Sequence, residues 1–430
     1  MTYQAAIQYL YGLRLFGAKL GLENTRKLAA LAGHPERRLR FIHLAGTNGK
    51  GSTCAMLESI YRQAGLRTGL FVSPHLVSFR ERIQIGRELI SERDVVRWVE
   101  KFQALLAEFP DDQHPTFFEV VTVMALDFFA EKRCDLVIWE TGLGGRLDAT
   151  NIVTPLACAI TNIALDHQQW LGDTLEKIAF EKAGILKPGI PVATAADEPE
   201  ALNVIRNVAN QKKAPLTILG AIPSGQVPEV LPLRGEHQKR NAALAMCVVN
   251  LLQKTIAVSP EQIQAGLKEV RWPGRLQLLE RPGGTKVLLD GAHNIAGATA
   301  LRETIEQDFA GANKTLILGI LEDKDWRRVC QILSPVASEI RTVPVPSRRT
   351  ANPDELTEAC RAANPWANVS ACQSLNEALR AAASSHFIII TGSLYLIGEA
   401  LELLGEIPHA NSERELNEWG NVEASKGLNC

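Results

Sequence analysis

Gly46-Thr47-Asn48-Gly49-Lys50-Gly51-Ser52 lies between a short apolar run, residues 41–45, and a segment, residues 52–64, whose apolar side chains recur at helical spacing. This arrangement predicts a strand, a glycine-rich turn and a helix in immediate succession. Such a turn directs backbone N–H groups towards an anion, and the helix N-terminus adds its partial positive charge. Lys50 can then reach a terminal phosphate. The stretch therefore predicts a nucleotide-phosphate loop within an α/β domain.

The loop departs from the common phosphate-loop pattern G-x-x-x-x-G-K-[ST]. That spacing would require a glycine at the position of Leu44, and the hydroxyl residue Ser52 comes two positions after Lys50 rather than one. The departure argues against a generic GTPase or kinase loop. A tight connection that binds no ligand is the alternative interpretation of the turn taken alone.

The composition is that of an ordinary globular protein, with 430 residues, 46% hydrophobic residues and a formal net charge of −2. This length predicts two domains. The near-neutral charge gives no electrostatic reason to expect a nucleic acid or an anionic membrane as a partner. The N-terminus shows no secretory signal, and no apolar run approaches the length of about 20 residues that spans a bilayer. The eight cysteines form no C-x-x-C pair, so we expect reduced thiols in a cytoplasmic protein.

Short apolar runs alternate with helical patterns, which predicts parallel sheets covered by helices. We expect an N-terminal ATPase domain with a mainly parallel sheet, residues 1–273, and a smaller Rossmann-like α/β domain, residues 274–408. The Pro-Gly break at 273–274 marks the boundary. Residues 409–430 are predicted to form a weakly ordered polar tail. The predicted strands are 41–45, 68–72, 136–139, 157–161 and 191–195, a hairpin within 82–90, and then 286–290, 315–321, 339–345 and 387–391.

Polar residues follow several predicted strands of the first domain. In open α/β sheets, ligands bind beyond the carboxyl ends of the strands. Glu140 ends an apolar run and is placed to hold Mg²⁺, which prefers oxygen ligands; a solvated strand-end charge is the alternative. Ser73 and His167 follow two other strands, but a lone histidine is more often structural. Lys182, in a helical segment, would ordinarily be a solvated face residue.

A series of short stretches carries a resemblance to a known family. Together they resemble the folylpolyglutamate synthase/dihydrofolate synthase family, relatives of the Mur peptide ligases, and they run in family order across nearly the whole chain. Each stretch is weak alone, whereas the set is highly specific. The stretches are 46–52, SPHL at 73–76, TFFE at 116–119, ETGLGGRLDATN at 140–151, TNIALDH at 161–167, EKAGILKPG at 181–189, HQKRN at 237–241, PGRL at 273–276 and DGAHN at 290–294.

The resemblance implies a role for each matching residue, with Lys50, Lys182 and His293 in the catalytic group. Lys182 resembles a lysine that family members carry as a carbamate beside the metal. The implied Mg²⁺ ligands are Ser73, Glu140 and His167. The implied ATP contacts are Thr47, Asn48, Gly49, Lys50, Gly51, Ser52, Asn241, Arg275 and Asp290. The implied substrate contacts are Thr116, Phe117, Phe118, Glu119, Leu147, Asp148 and Ala149, and more loosely Lys19, Leu20, Gly21 and Leu22.

The implied reaction forms an amide bond. Phosphorylation of a folate carboxylate by ATP gives an acyl phosphate, and the amino group of L-glutamate then displaces phosphate. We expect tetrahydrofolate polyglutamylation, and dihydrofolate synthesis from dihydropteroate as a second activity. Closure of the second domain would exclude water from the acyl phosphate. We expect a monomer that binds small molecules, without nucleic acid or membrane.

Two rival functions stay open. One is a Mur-type peptide ligase, although such enzymes usually carry a further domain ahead of the phosphate loop, and only 45 residues precede Gly46 here. The other is a regulatory NTPase in which ATP drives a conformational switch. It would need no carboxylate or amino-acid pocket.

Overall fold

The strands of the computed structural model fall into two sheets, one of eight strands and one of six. Strands between residues 41 and 218 build the first sheet, and strands between 277 and 391 build the second. The predicted boundary at 273–274 falls between them. The structure describes residues 1–16, 21–110, 113–220, 227–228, 231–311, 313–408 and 413–417.

The first sheet has the order β4-β3-β2-β5-β1-β6-β7-β8. Six neighbouring strands, β2, β5, β1, β6, β7 and β8, pair in parallel. The hairpin strands complete the sheet: β3 pairs with β2 in antiparallel orientation, and β4 pairs with β3 in the same way. Helices cover both faces, so the central strands β1, β5 and β6 are fully buried and are apolar except for His43 and Glu140. The strands are β1 Phe41–Ala45, β2 Thr68–Phe71, β3 Ile83–Ile85, β4 Glu88–Leu89, β5 Leu136–Glu140, β6 Ala157–Ile160, β7 Val192–Thr194 and β8 Leu216–Ile218.

Ten α-helices lie within the described part of the first domain. α3 begins at Lys50, directly after the glycine-rich turn, and packs against α9 and α10. The helices are α1 Tyr3–Gly12, α2 Glu23–Leu31, α3 Lys50–Gln63, α4 Glu92–Leu106, α5 Phe117–Glu131, α6 Gln168–Leu171, α7 Leu175–Ala183, α8 Pro199–Gln211, α9 Glu236–Leu251 and α10 Pro260–Glu269.

The second sheet has the order β13-β12-β11-β14-β10-β9 and is parallel except for the edge strand β9. Its strands are β9 Gln277–Glu280, β10 Lys286–Asp290, β11 Thr315–Leu318, β12 Glu339–Thr342, β13 Asn368–Ala371 and β14 Phe387–Thr391. Its helices are α11 Ile295–Asp308, α12 Trp326–Leu333, α13 Pro353–Ala363, α14 Leu375–Ala381 and α15 Leu394–Leu403. No helix in the described ranges combines the length and apolarity needed to cross a membrane.

The predicted two-domain α/β architecture is confirmed, and the strands of the described residues that were not predicted all lie at sheet edges. β8, β9 and β13 were not predicted, because each lies at or next to a sheet edge with few buried side chains. The predicted hairpin is present as β3 and β4. Its turn residues Gly86 and Arg87 both have positive φ, 57° and 75°, which matches the twist of a two-residue hairpin turn.

The prediction of a weakly ordered tail is wrong for residues 413–417. These residues form a 3₁₀ helix, and the side chains of Glu413, Leu416 and Asn417 are buried. Their contacts are with α1 and with the 3₁₀ helix Phe79–Arg82 of the first domain. Polar composition misled the prediction, because the polar groups have buried hydrogen-bond partners there.

Gly266 allows α10 to approach α3, the helix that begins at the glycine-rich turn. A Cβ at Gly266 would lie 2.5 Å from Ile60 Cα and 2.7 Å from Ile60 N. Ser59 Oγ also donates a 2.7 Å hydrogen bond to Gly266 O. The backbone of α3 is therefore held at close range, with no room for a side chain between the helices.

Gly266→Ala is expected to lower the midpoint of thermal unfolding. Overpacking costs about 1–3 kcal/mol, which outweighs the roughly 1 kcal/mol that alanine gains over glycine in a helix. The control is Lys268→Ala, an exposed position of the same helix, which should change the midpoint little. A Gly266→Ala protein as stable as its parent would contradict the close approach.

Candidate functional site

The glycine-rich turn between β1 and α3 has a backbone that tolerates no side chain at two positions. At Gly46, φ is +151° and a Cβ would lie 1.8 Å from Thr161 Oγ1. At Gly49, φ is +83° and a Cβ would lie 2.5 Å from Asn241 Oδ1. Glycine is required here by both conformation and contact.

The end of β6 anchors this turn. Thr47 N donates to Asn162 O at 2.8 Å, and Asn48 N donates to Asn162 Oδ1 at 2.7 Å. Thr161 Oγ1 donates to Asn48 O at 2.6 Å. Lys50 Nζ lies over the turn, within 3.1 Å of Gly46 O and 3.3 Å of Thr47 O. The ammonium group and the N-terminus of α3 therefore face the same space.

That space is a cavity of about 580 Å³ between the two domains. It gathers the predicted catalytic, nucleotide and metal residues from both domains. The predicted residues that line it are Thr47, Asn48, Gly49, Lys50, Gly51, Ser52, Ser73, Glu140, His167, Lys182, Asn241, Arg275, Asp290 and His293.

Glu140, the last residue of β5, is a buried carboxylate at this cavity. Its Oε2 accepts a 3.1 Å hydrogen bond from Ser73 N. Burial raises the pKa of Glu140 to about 7, although Lys50, the Ser73 amide and Arg275 act in the opposite direction. A cation bound beside this buried carboxyl group would favour its ionised form.

Lys182, near the end of α7, is buried rather than solvated. Its Nζ donates a 2.7 Å hydrogen bond to Gly46 O, on the glycine-rich turn. Burial and the nearby Lys50 lower the pKa of Lys182 to about 7. Much of this amine is therefore uncharged at neutral pH, unlike a surface lysine.

Asp166 connects the two domains beside His167. Lys324 Nζ of the second domain lies 2.6 Å from Asp166 Oδ1, and His293 Nε2 lies 3.5 Å from Asp166 Oδ2. Burial alone would raise the pKa of Asp166, but His293, Lys324 and His167 hold it well below its ordinary value. Burial, with Lys324 nearby, lowers the pKa of His167 to about 3. His167 is therefore neutral, and its Nε2 lies 3.5 Å from Lys324 Nζ.

Asn294 adds a second cross-domain contact, at the tip of the glycine-rich turn. Its side-chain amide pairs with that of Asn48 through hydrogen bonds of 3.0 and 3.3 Å. Its Nδ2 also donates to Asp166 Oδ2 at 2.9 Å. Asp166 and Asn294 lie inside the stretches 161–167 and 290–294 but had no predicted role, and no sequence motif indicated Lys324.

Arg275 and Asp290 form the second-domain wall of the cavity. The carboxylate of Asp290 accepts 2.9 Å hydrogen bonds from Leu276 N and Ala292 N, which fix its orientation. Arg275 is half-buried; desolvation lowers its pKa, while Asp290 and Glu140 raise it. His293 Nδ1 lies 2.8 Å from Gly291 O.

The predicted substrate residues lie elsewhere, and several have structural roles. Thr116 and Glu119 cap α5 reciprocally, and Glu119 also accepts from Thr25. Asp148 caps the 3₁₀ helix Ala149–Ile152 and accepts from Gly142 N and Leu143 N. Lys19 and Leu20 lie outside the described residues. The predicted substrate residues that do not line the cavity are Gly21, Leu22, Thr116, Phe117, Phe118, Glu119, Leu147, Asp148 and Ala149.

The residues of this cavity suit a nucleotide and a hard cation. A backbone cradle that excludes a Cβ at Gly46 and Gly49 can approach phosphate closely. The buried Glu140 carboxylate supplies an oxygen ligand. Within the described ranges, no group of three or more His, Cys, Asp and Glu side chains could hold a metal by itself. A bound cation would therefore depend also on hydroxyl or phosphate oxygens.

Known proteins share this architecture. Residues 44–220 match the Mur ligase middle domain, and residues 274–394 match the Mur ligase glutamate ligase domain. The dihydrofolate synthase/folylpolyglutamate synthase of Bacillus subtilis is 37% identical over 424 residues, which cover 93% of this chain and 98% of its own.

Two solved structures superpose over nearly the full length. Escherichia coli FolC in complex with DHPP and ADP is 31% identical, with a TM-score of 0.83 over 94% of this chain and 98% of its own. Mycobacterium tuberculosis folylpolyglutamate synthase complexed with ADP and AMPPCP is 29% identical, with a TM-score of 0.86 over 95% of this chain and 100% of its own. With the match in fold, domains and sequence, the chain belongs to the folylpolyglutamate synthase/dihydrofolate synthase family of the Mur ligase superfamily.

Proposed function

We propose that this ligase joins L-glutamate to tetrahydrofolate, extending its polyglutamate tail, and also to dihydropteroate, forming dihydrofolate. The observation that carries the proposal is one interdomain cavity lined by a phosphate-binding turn, a buried carboxylate and a buried lysine of low pKa. Relatives with both names support the two acceptors.

In the proposed mechanism, the first domain stabilises the transferring phosphoryl group. Backbone N–H groups of residues 47–52 and the Lys50 ammonium would spread its negative charge. Ser73, Glu140 and His167 would hold Mg²⁺, which would neutralise phosphate charge when bound. Attack by the substrate carboxylate then gives an acyl phosphate and ADP.

The second domain supplies the rest of the proposed site. Arg275 and Asp290 would contact ATP, and His293 would lie beside the reacting groups. Asn294 and Lys324 hold this domain against the phosphate-binding turn and Asp166. Their contacts would exclude water, so that the amine of L-glutamate rather than water attacks the acyl phosphate.

The folate would bind outside the nucleotide pocket, along residues 116–119 and 147–149. Phe118 packs against Gly142, where a Cβ would lie 2.5 Å from Phe118 Cζ. Backbone and aromatic groups of these segments would therefore form its binding surface, since the Thr116, Glu119 and Asp148 side chains are engaged locally. We also propose a monomer that acts on small molecules in the cytoplasm, without nucleic acid.

An acceptor-dependence assay tests the function. We expect glutamate-dependent ADP release from Mg-ATP with both tetrahydrofolate and dihydropteroate, and little ADP release without either acceptor. Activity with tetrahydrofolate but not with dihydropteroate would contradict the proposed dihydrofolate synthesis. ADP release that ignores both would contradict the ligase assignment and favour a regulatory NTPase.

Lys50→Ala is expected to lower kcat by about 100-fold or more, because the ammonium stabilises charge that develops on the transferring group. The fold should be retained, since Lys50 faces the cavity rather than a core. Thermal unfolding and steady-state kinetics check this, with the surface variant Lys177→Ala as the matched control. Near-normal turnover of Lys50→Ala would contradict the phosphate contact.

We propose that Lys182 carries a carbamate, which would convert a cation into an oxygen ligand beside the metal. The neutral amine attacks carbon dioxide and forms a C–N bond, and the proton lost from the nitrogen passes to solvent. A pKa of about 7 makes the neutral amine abundant above neutral pH. A ¹³C carbamate signal is expected after incubation with labelled bicarbonate, and it should grow as the pH rises from about 6 to about 8.

Lys182→Ala should abolish that signal and most turnover, with partial rescue by added formate or acetate. Lys177→Ala should keep both the signal and the turnover. The carbamate is ruled out if the parent protein gives no signal yet retains full activity in buffer depleted of carbon dioxide.

A further inference from the structure

The C-terminal residues 413–417 return from the second domain to the first and dock beside the cavity. Glu413 accepts hydrogen bonds from Tyr3 Oη at 3.1 Å, Ser78 Oγ at 3.0 Å and Phe79 N at 2.6 Å. Leu416 is buried in the core of the first domain. This docking brings Asn417, the last described residue, to the cavity wall.

Asn417 holds the guanidinium of Arg82. Its Oδ1 accepts from Arg82 Nη2 at 2.5 Å, and its Nδ2 donates to His75 O at 2.8 Å. Arg82 Nε donates to His75 Nδ1 at 2.8 Å. The three side chains are almost inaccessible, with exposed fractions of 2% for Arg82, 3% for Asn417 and 1% for His75.

His75 is fixed in the tautomer that this network needs. Its Nε2 lies 2.9 Å from Glu413 O, which can only accept, so Nε2 carries the proton and Nδ1 accepts from Arg82. Burial and the adjacent Arg82 hold the pKa of His75 well below its ordinary value. The imidazole is therefore a neutral support for the guanidinium.

Arg82 is a buried cation without a carboxylate partner. Among the residues that the structure describes, no Asp or Glu forms an ion pair with it, and its hydrogen-bond partners are His75 and Asn417. Burial lowers the pKa of Arg82 only to about 10, so it stays charged at neutral pH. Buried charges are normally paired, and Arg82 lines the cavity. The missing anion is therefore expected from a ligand.

The surroundings of Arg82 indicate which ligand group this is. On one side the guanidinium carbon lies 5.4 Å from the centroid of Phe117, in the segment proposed to bind folate. On the other side Arg82 interacts electrostatically with Tyr395, Glu81 and Glu140, and Glu140 is the proposed metal ligand. Arg82 therefore lies between the proposed folate surface and the proposed phosphoryl-transfer centre. A planar guanidinium suits a carboxylate or an acyl phosphate.

We propose that Arg82 binds the folate carboxylate that accepts the phosphoryl group, and that Asn417 and His75 are its positioning residues. This inference rests on the proposed function of the site. Carboxylates of the incoming glutamate and phosphates of ATP share the same chemistry, so separate KM values for acceptor, glutamate and ATP distinguish them.

The test compares Asn417→Leu with Asn417→Asp in the full-length protein. Asn417→Leu removes the acceptor for Arg82 and should raise KM for the folate acceptor by about 10-fold, the range for a hydrogen bond to a charged group. KM for ATP and for glutamate should change less than about 2-fold. Asn417→Asp places a carboxylate on Arg82, so it should compete with the carboxylate of the ligand and also raise KM for the folate acceptor, again without raising KM for ATP.

Two further variants separate positioning from docking of the segment. Arg82→Gln should lower kcat/KM for the acceptor by about 100-fold. Leu416→Ala removes buried packing in the same segment and should lower the thermal midpoint while leaving the three KM values unchanged.

The proposal is overturned if Asn417→Leu leaves KM for the acceptor unchanged, if KM for glutamate or ATP rises instead, or if Leu416→Ala raises KM for the acceptor equally. Unfolding of Asn417→Leu would also overturn it, since Asn417 would then be a structural residue. If the parent protein joined glutamate to neither tetrahydrofolate nor dihydropteroate, the proposed function itself would be refuted.

Discussion

The close packing of the glycine-rich turn against the end of β6 is the constraint on which the rest of the site depends. Gly46 meets Thr161 at a distance that excludes any Cβ, and Asn162 fixes the two following amides. Because the turn cannot shift, Lys50 and the start of α3 have a fixed direction. Gly46 O also accepts a hydrogen bond from Lys182 Nζ, so the same turn positions the buried lysine of α7.

The cross-domain contacts extend this constraint to the second domain. Asn48, at the tip of the turn, pairs with Asn294 at the N-terminus of α11, and Asp166 pairs with Lys324. Each contact joins a group beside the proposed phosphate site to the other domain. Buried ion pairs gain little net stability over apolar packing but cost much when one partner is removed. The cross-domain contacts therefore fix the orientation of the two domains more than they stabilise the fold.

The architecture and the glycine-rich turn between β1 and α3 could be predicted from the sequence, because both follow from local patterns. Apolar runs fixed the central strands, and glycine spacing with Lys50 indicated the turn. The environment of Lys182 could not be predicted, since helical spacing indicated a solvated face and only the tertiary fold buries this side chain. Asn417 was missed for a similar reason: a polar segment indicates a free tail unless its buried partners are known. The roles of the predicted substrate residues stay predictions.

The central claim is that this cavity activates a folate carboxylate by phosphorylation. Its most direct test is isotope transfer with dihydropteroate or tetrahydrofolate labelled with ¹⁸O in the reacting carboxylate. Transfer through an acyl phosphate moves one carboxylate oxygen to inorganic phosphate, so the account predicts one ¹⁸O in the phosphate for each amide bond formed. Phosphate without ¹⁸O, released alongside normal amide formation, would contradict it.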